Sequence, residues 1–342
     1  MLNTADKYPF WRSRLSDADA AMDSAVIGEV HTLCTSAGGR TIRYITYGEK
    51  VDYNRTANYS SACGAHKPEC YADRTGKRPT IMLIGGTHGQ ETEGIVAIVN
   101  LISLLETGKD LRGESVPEIT EAYAKHNPRL ILIPVYNVDG RARCVPDSLI
   151  GDRVDDVRYS GQGTWKDGTL CTWPEVKMTH PIKEAAGHLG SYFNDDGINL
   201  MHDNFFSPMA EETKALMKLV DEEAPECVIG LHGGGNSLSE LLQMSYVPLY
   251  IKESIFRLAA DAAARQTALG LKSCVYPVKS DGNYPPPSFN LTTAIHHISG
   301  AVSATFESNM GLTDRSNPFT AEEILLSHYC LIESMLNLAW RE

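Results

Sequence analysis

The stretch Thr80-Ile-Met-Leu-Ile-Gly-Gly-Thr-His-Gly-Gln-Glu91 decides how this chain is read. Four apolar residues closed by two glycines form a run too short for a helix and suited to a buried strand. From Glu91 to Leu105 the pattern changes, and apolar residues recur three and four apart, as on a helix. A strand, a glycine turn and a helix make the repeating unit of an α/β sheet. In such sheets the ligand crevice lies beyond the carboxyl ends of the strands. His88 and Glu91 are therefore delivered to the place where a ligand is expected. Their three-residue spacing, with Gly85, Gly86 and Gly89 to bend the chain, lets an imidazole and a carboxylate converge on one ion.

Further apolar runs at 41–47, 130–135, 227–231 and 302–306 read as strands, and helical spacing returns at 212–223, 254–269 and 321–340. The alternation predicts one α/β domain over 1–342, with a twisted, mixed but largely parallel sheet, helices on both faces, and residues 1–30 packed on it as an N-terminal extension. The intervals 49–78 and 142–196, rich in Gly, Pro, Asp and Tyr, read as long loops around a binding site.

Two of these strands repeat the pattern at the first strand's end. Cys227-Val-Ile-Gly-Leu231 runs into His232-Gly-Gly-Gly235, and Val302-Ser-Ala-Thr-Phe306 runs into Glu307-Ser-Asn309. Two histidines and one glutamate, His88, Glu91 and His232, are the three-ligand set of a catalytic zinc that keeps a fourth position for water. Glu307 arrives at the same sheet edge as a carboxylate able to take a proton from that water and return it to a leaving group. The expected cofactor is one Zn²⁺ per chain.

Composition narrows the alternatives. The 342 residues carry 31 Lys+Arg against 43 Asp+Glu, a net charge of −12, with 42% hydrophobic residues. A polyanion would meet an adverse field, and no basic run offsets it, so a nucleic-acid partner is not expected. Apolar segments along the whole length argue against disorder. No secretory leader or membrane-length apolar stretch is visible, and the chain reads as cytoplasmic, with no membrane partner. Of eight cysteines most sit among apolar neighbours as buried thiols. Cys63 and Cys70 flank His66 in a polar stretch, where a local disulfide or a weak metal site are both open.

Taken in order, these motifs resemble the zinc metallocarboxypeptidases, the carboxypeptidase A-like peptidases. The family's metal motif matches His88-Gly-Gln-Glu91, its later ligand His232, and its general base Glu307. Pro134-Val-Tyr-Asn-Val-Asp-Gly140 is similar to the family's Asn-Pro-Asp-Gly turn, and Gly197-Ile-Asn-Leu-Met-His-Asp203 to its Gly-Val-Asp-Leu-Asn-Arg-Asn segment. The resemblance covers about 40 to 340. It implies a zinc-dependent hydrolase of peptide or small amide substrates, with substrate recognition that departs from the family's.

The departure lies where the family carries the Asn-Arg pair that binds a substrate's terminal carboxylate, for here Met201 and His202 stand instead. A bidentate guanidinium fork is lost, and His202 offers at most one charge of adjustable occupancy. The family's carbonyl-polarising arginine also has no counterpart just upstream. Arg141, Arg143, Arg158 and Lys166 are the candidates, with Arg141 and Arg143 favoured because they follow the Asp139-Gly140 turn. Asn199 replaces an Asp whose role is to accept a proton from a ligand histidine, and an amide oxygen can still do so. Tyr284 falls where the family has a mobile tyrosine that contacts substrate. The segment 288–293, which the resemblance places at the specificity pocket, contains no Asp or Arg. Two other readings remain: an N-acyl amino acid deacylase or desuccinylase, because Gly85-Gly-Thr-His-Gly-Gln-Glu91 is also similar to the aspartoacylase and succinylglutamate desuccinylase motif, and an inactive protein that binds ligands in the same pocket.

Overall fold

The architecture described here is that of a computed structural model, covering residues 4–282 and 284–338. Ten strands occur among these residues: β1 (Glu29–Thr35), β2 (Thr41–Tyr47), β3 (Thr80–Gly85), β4 (Arg129–Ile133), β5 (Gly163–Trp165), β6 (Ala186–Leu189), β7 (Cys227–Gly234), β8 (Ser239–Leu242), β9 (Ser273–Cys274) and β10 (Val302–Asn309). Eight form one sheet in the order β1-β2-β4-β3-β7-β10-β8-β9, while β5 and β6 make a separate antiparallel pair. The four central strands β4, β3, β7 and β10 are mutually parallel, and β1, β2 and β8 add antiparallel pairings at the flanks. The mixed, largely parallel sheet expected from the sequence is present.

Parallel strands buried on both faces read as unbroken apolar runs, and every residue of β3 and β4 is buried. Ile81, Leu83, Ile229 and Leu231 contribute to one core face with Ile98 and Leu101 of the helix Glu93–Thr107, whereas Met82, Ile84 and Val228 contribute to the other with Leu216 and Val220 of the helix Glu211–Glu223. Alternate strand residues thus supply two layers, as the period of two requires. From the N-terminal segment, Phe10 and Trp11 lie in the first of these layers.

Where the structure departs from expectation, polar residues hold the difference. β7 runs three residues past Leu231 and β10 three past Phe306, because their pairing continues through His232–Gly234 and Glu307–Asn309. The helix read from Glu91 begins at Glu93, since 87–92 turns to present the candidate ligands. The last helix ends at Asn337, and the expected continuation to Trp340 lies outside the described residues. The two long intervals are not wholly loop. The first contains the helix Tyr59–Gly64 and the second the helix Val154–Gly161 and the β5–β6 pair. These short pieces bury only one or two residues each, too few to print a period in the sequence. Cys63 and Cys70 are free thiols, Cys63 exposed, and neither joins a metal-ligating group among the described residues.

Candidate metal and substrate site

Three strand ends build the site. β3 stops at Gly85 and the chain turns through Gly86, whose φ of +57° belongs to the left-handed region that glycine tolerates best. Gly89 is packed so closely on the next loop that an added Cβ would stand 2.2 Å from the carbonyl carbon of Gly140. Its amide donates to the Ser191 carbonyl at 2.8 Å. His88 and Glu91 are held on either side of this fixed point. β7 carries His232 directly beside Glu307 of β10, the two being register partners.

His88, Glu91 and His232 are all buried, and one ligand atom from each lies within 4.8 Å of the others. His88 Nδ1 stands 2.8 Å from Glu91 Oε1, and His232 Nδ1 stands 2.8 Å from Glu91 Oε2. The first contact has hydrogen-bond geometry. The second does not, despite its length, and Glu91 Oε2 is left as an orphaned buried acceptor. Two donor atoms that approach this closely without aiming at each other suit a shared cation between them, so the residues fit a zinc ion.

The far side of His88 is also fixed. Nε2 lies 3.3 Å from Asn199 Oδ1, an oxygen that also accepts from the Met201 amide at 3.0 Å. An amide oxygen accepts only, so the Asn199 contact suits a hydrogen on Nε2, and in that tautomer the Nδ1 lone pair would be free for an ion in place of the Glu91 contact. Tyr192 stacks on the His88 ring at 3.7 Å between centroids. Asn199 therefore touches the candidate ligand His88.

Electrostatics sort the groups. Burial raises the Glu91 carboxyl, but the adjacent imidazoles outweigh it and hold it down at about 2. Burial lowers His88, and Glu91 only partly offsets this. For His232 burial acts in the same direction, yet Glu91 and Glu307 prevail and the net shift is upward. Burial pushes Glu307 up to about 7; His232 opposes the rise, while Glu91 and Glu240 add to it. A carboxyl poised there can both accept and release a proton near neutral pH.

A cavity of roughly 500 Å³ opens over these residues, lined by His88, His232 and Glu307 and by side chains from β8 and the long loops. His202 and Asn290 line it, as do Met201, Ser288 and Thr292. Burial first, then Lys177 and the neighbouring imidazoles, depress His202 to about 3, so it is neutral near pH 7 and supplies no charge in place of an arginine. Tyr284 is 90% exposed and not part of the lining.

The two favoured arginines are engaged by other groups. Arg141 donates to the backbone carbonyls of Gly89 at 2.9 Å and Pro146 at 2.7 Å, which ties the ligand loop down but leaves it outside the cavity. Arg143 is held by Asp195 and by the carbonyls of Gly190 and Phe193. Both follow the Asp139 turn, where the Asp139 carboxylate itself accepts from Ser36 and Arg40. Lys166 is exposed, and Arg158 lines the cavity while pairing with Asp155 at 2.8 Å.

Three charged cavity residues were not singled out from the sequence. Lys177 lies over the Trp173 ring at 3.7 Å, and burial pulls its amine down to about 8. Arg315 packs over Gly235 with its Nε buried and unpartnered. Glu240 enters from β8. Lys177 comes from the short 3-10 turn Glu175–Met178, Arg315 from a loop with no motif, and Glu240 from a four-residue strand, so periodicity could not place them.

Comparison with known proteins agrees with this geometry. The zinc carboxypeptidase family pattern matches residues 19–307, and the chain belongs to that family. Among solved structures, a metallo-carboxypeptidase from Burkholderia cenocepacia superposes with a TM-score of 0.56 at 14% identity, covering 94% of this chain and 67% of that one. A metallo-carboxypeptidase from Pseudomonas aeruginosa, solved with (2-guanidinoethylmercapto)succinic acid, superposes with a TM-score of 0.53 at 12% identity, covering 94% and 66%. This chain spans about two thirds of the length of each, and at such identities the likeness shows the fold. No curated protein sequence matches. No helix among the described residues is long and apolar enough to cross a membrane.

Proposed function

We propose that this protein is a zinc-dependent hydrolase of peptide or small amide bonds, with the ion held by His88, Glu91 and His232 and with Glu307 as general base and acid. The observation that carries the reading is the register pairing of His232 with Glu307, which places a buried carboxyl whose pKa is lifted to about 7 beside the three ligands. Zinc, when bound in such a site, acidifies water and polarises a carbonyl. Glu307 takes the proton at its carboxylate and later gives it to the departing nitrogen, so one side chain serves both halves of the reaction. Arg315, rather than Arg141 or Arg143, is the unpaired guanidinium on the cavity wall and the better candidate to receive developing negative charge.

Substrate recognition is atypical in this reading. With Met201 apolar and His202 neutral, a substrate carboxylate finds its cation at Lys177, which reaches the His88 neighbourhood through Trp173 and Tyr192. The deacylase alternative uses the same ligands and base, and no separate feature of the cavity favours it. Glu307→Gln tests the central role. It should keep one zinc per chain and lose about 10²–10⁴-fold in kcat on peptide substrates. Near-normal turnover in a zinc-loaded variant would remove Glu307 from the reaction.

A further inference from the structure

β8 and β10 pair antiparallel, and the residue opposite Glu307 is Glu240. Directly opposed residues on adjacent strands share a face, with Cβ atoms about 4.5–5.5 Å apart, and like charges so placed repel. Here both carboxylates line the same cavity, and so do the register partners Leu242 and Thr305 two residues away. A ribbon of two strands thus presents a pair of acids to the substrate.

No ion pair among the described residues neutralises the second acid. Glu240 accepts from Asn236 Nδ2 at 3.0 Å and from the Tyr276 hydroxyl, two neutral donors that hold its orientation without cancelling its charge. Among the described residues it forms no ion pair. Of the cavity's cations, Arg158 pairs with Asp155 and Lys177 lies over Trp173, while Arg315 is unpaired but forms no ion pair with Glu240. The same cavity is also lined by Gln243, Asn290 and Thr292, polar but uncharged. Glu240 is thus a half-buried carboxylate held in place by two donors, facing the cavity without an ion-pair partner among the described residues, which leaves it open to a cation carried by a ligand.

We propose that Glu240 is a specificity-determining residue that receives an ammonium or guanidinium group carried by the substrate residue next to the scissile bond, so that the preferred substrates are peptides or amides of basic amino acids. This rests on the hydrolase reading of the same cavity. It also revises the expectation from the sequence, in which 288–293 offered no charged partner; the charge comes instead from β8, across the sheet edge.

The test compares arginine with citrulline, which has nearly the same shape and no charge. Calorimetric binding of the two free amino acids to the zinc-loaded protein needs no turnover, and kcat/KM for N-acyl dipeptides ending in each adds the catalytic readout. The expected result is at least a tenfold preference for arginine in both measurements, falling at least fivefold in E240Q. Zinc content and melting temperature of E240Q show that the fold is kept, and the wild-type comparison stands without any variant. Equal binding of arginine and citrulline by the wild type, or a preference that survives E240Q, overturns the proposal. So does a second zinc per chain that disappears in E240Q without any arginine preference, for Glu240 is then a metal ligand. If binding prefers arginine while no amide is cleaved, the hydrolase reading fails and the role of Glu240 stands; if both dipeptides are cleaved alike, the reverse holds.

Discussion

Glu93 gives a sharp test of the electrostatics beneath the site. It opens the helix Glu93–Thr107, is 1% exposed, and neither of its carboxyl oxygens has a hydrogen-bond partner. It is wedged against β7, where an added Cβ on Gly233 would stand 2.5 Å from its Oε2. Burial pushes its pKa from an ordinary 4.5 up to about 8, with Glu91 and Glu307 adding to the rise and Arg141 opposing it. Between these values the folded protein keeps a proton that the unfolded chain releases. The unfolded state then binds fewer protons, so stability falls as pH rises from about 4.5 and levels off above about 8. At about 1.36 kcal/mol per pH unit the ceiling on this loss is roughly 5 kcal/mol. Urea unfolding of the chelator-treated protein at pH 5 and pH 8.5 should show wild type losing about 2 to 5 kcal/mol more than Glu93→Gln over that interval. Equal pH dependence in the two proteins would refute the reasoning, because it would mean that Glu93 is ionised in the fold at neutral pH.

Two further perturbations follow from single contacts. Lys177→Met should raise KM at least tenfold for peptides with a free terminal carboxylate and much less for their amides. In wild type that discrimination should fade as pH climbs past about 8, where the amine loses its proton; steady-state kinetics on matched acid and amide substrates decides it, and equal effects on both would remove Lys177 from carboxylate binding. Gly89→Ala forces a methyl into the Gly140 backbone. It should cost about 1–3 kcal/mol or more in urea unfolding and weaken zinc affinity measured by competition with a chelator, whereas unchanged affinity would show that His88 does not depend on that contact.

How much was legible in advance depended on where chemistry met periodicity. The runs 41–47 and 80–85 matched β2 and β3 to the residue, because an apolar run bounded by turn residues is the strongest local sign of a buried strand. β1 was not foreseen. Its Glu29-Val-His-Thr-Leu-Cys-Thr35 sits at the sheet edge with no fully buried residue, so no face is marked by composition. The helix Leu291–Ser299 was missed for a related reason: Thr, Ile and His dominate it, residues with weak helix preference, and its packing and the Asn290 cap sustain it. The grouping of His88, Glu91, His232 and Glu307 was readable since each closely follows an apolar strand run. That Arg141 and Arg143 lie outside the cavity lining was not, because nearness to a turn in sequence does not say where the side chains go. Lys177 and Glu240 reach the cavity through long-range folding, and no spacing announces that.

The account depends above all on His88, Glu91 and His232 holding one ion together. Anomalous diffraction at the zinc edge from crystals grown with zinc, with metal content measured on the same preparation, tests this most directly. One anomalous peak bonded to His88 Nδ1, His232 Nδ1 and Glu91, at one zinc per chain, is the result expected. A peak elsewhere, or none between these side chains at full zinc supply, would contradict it.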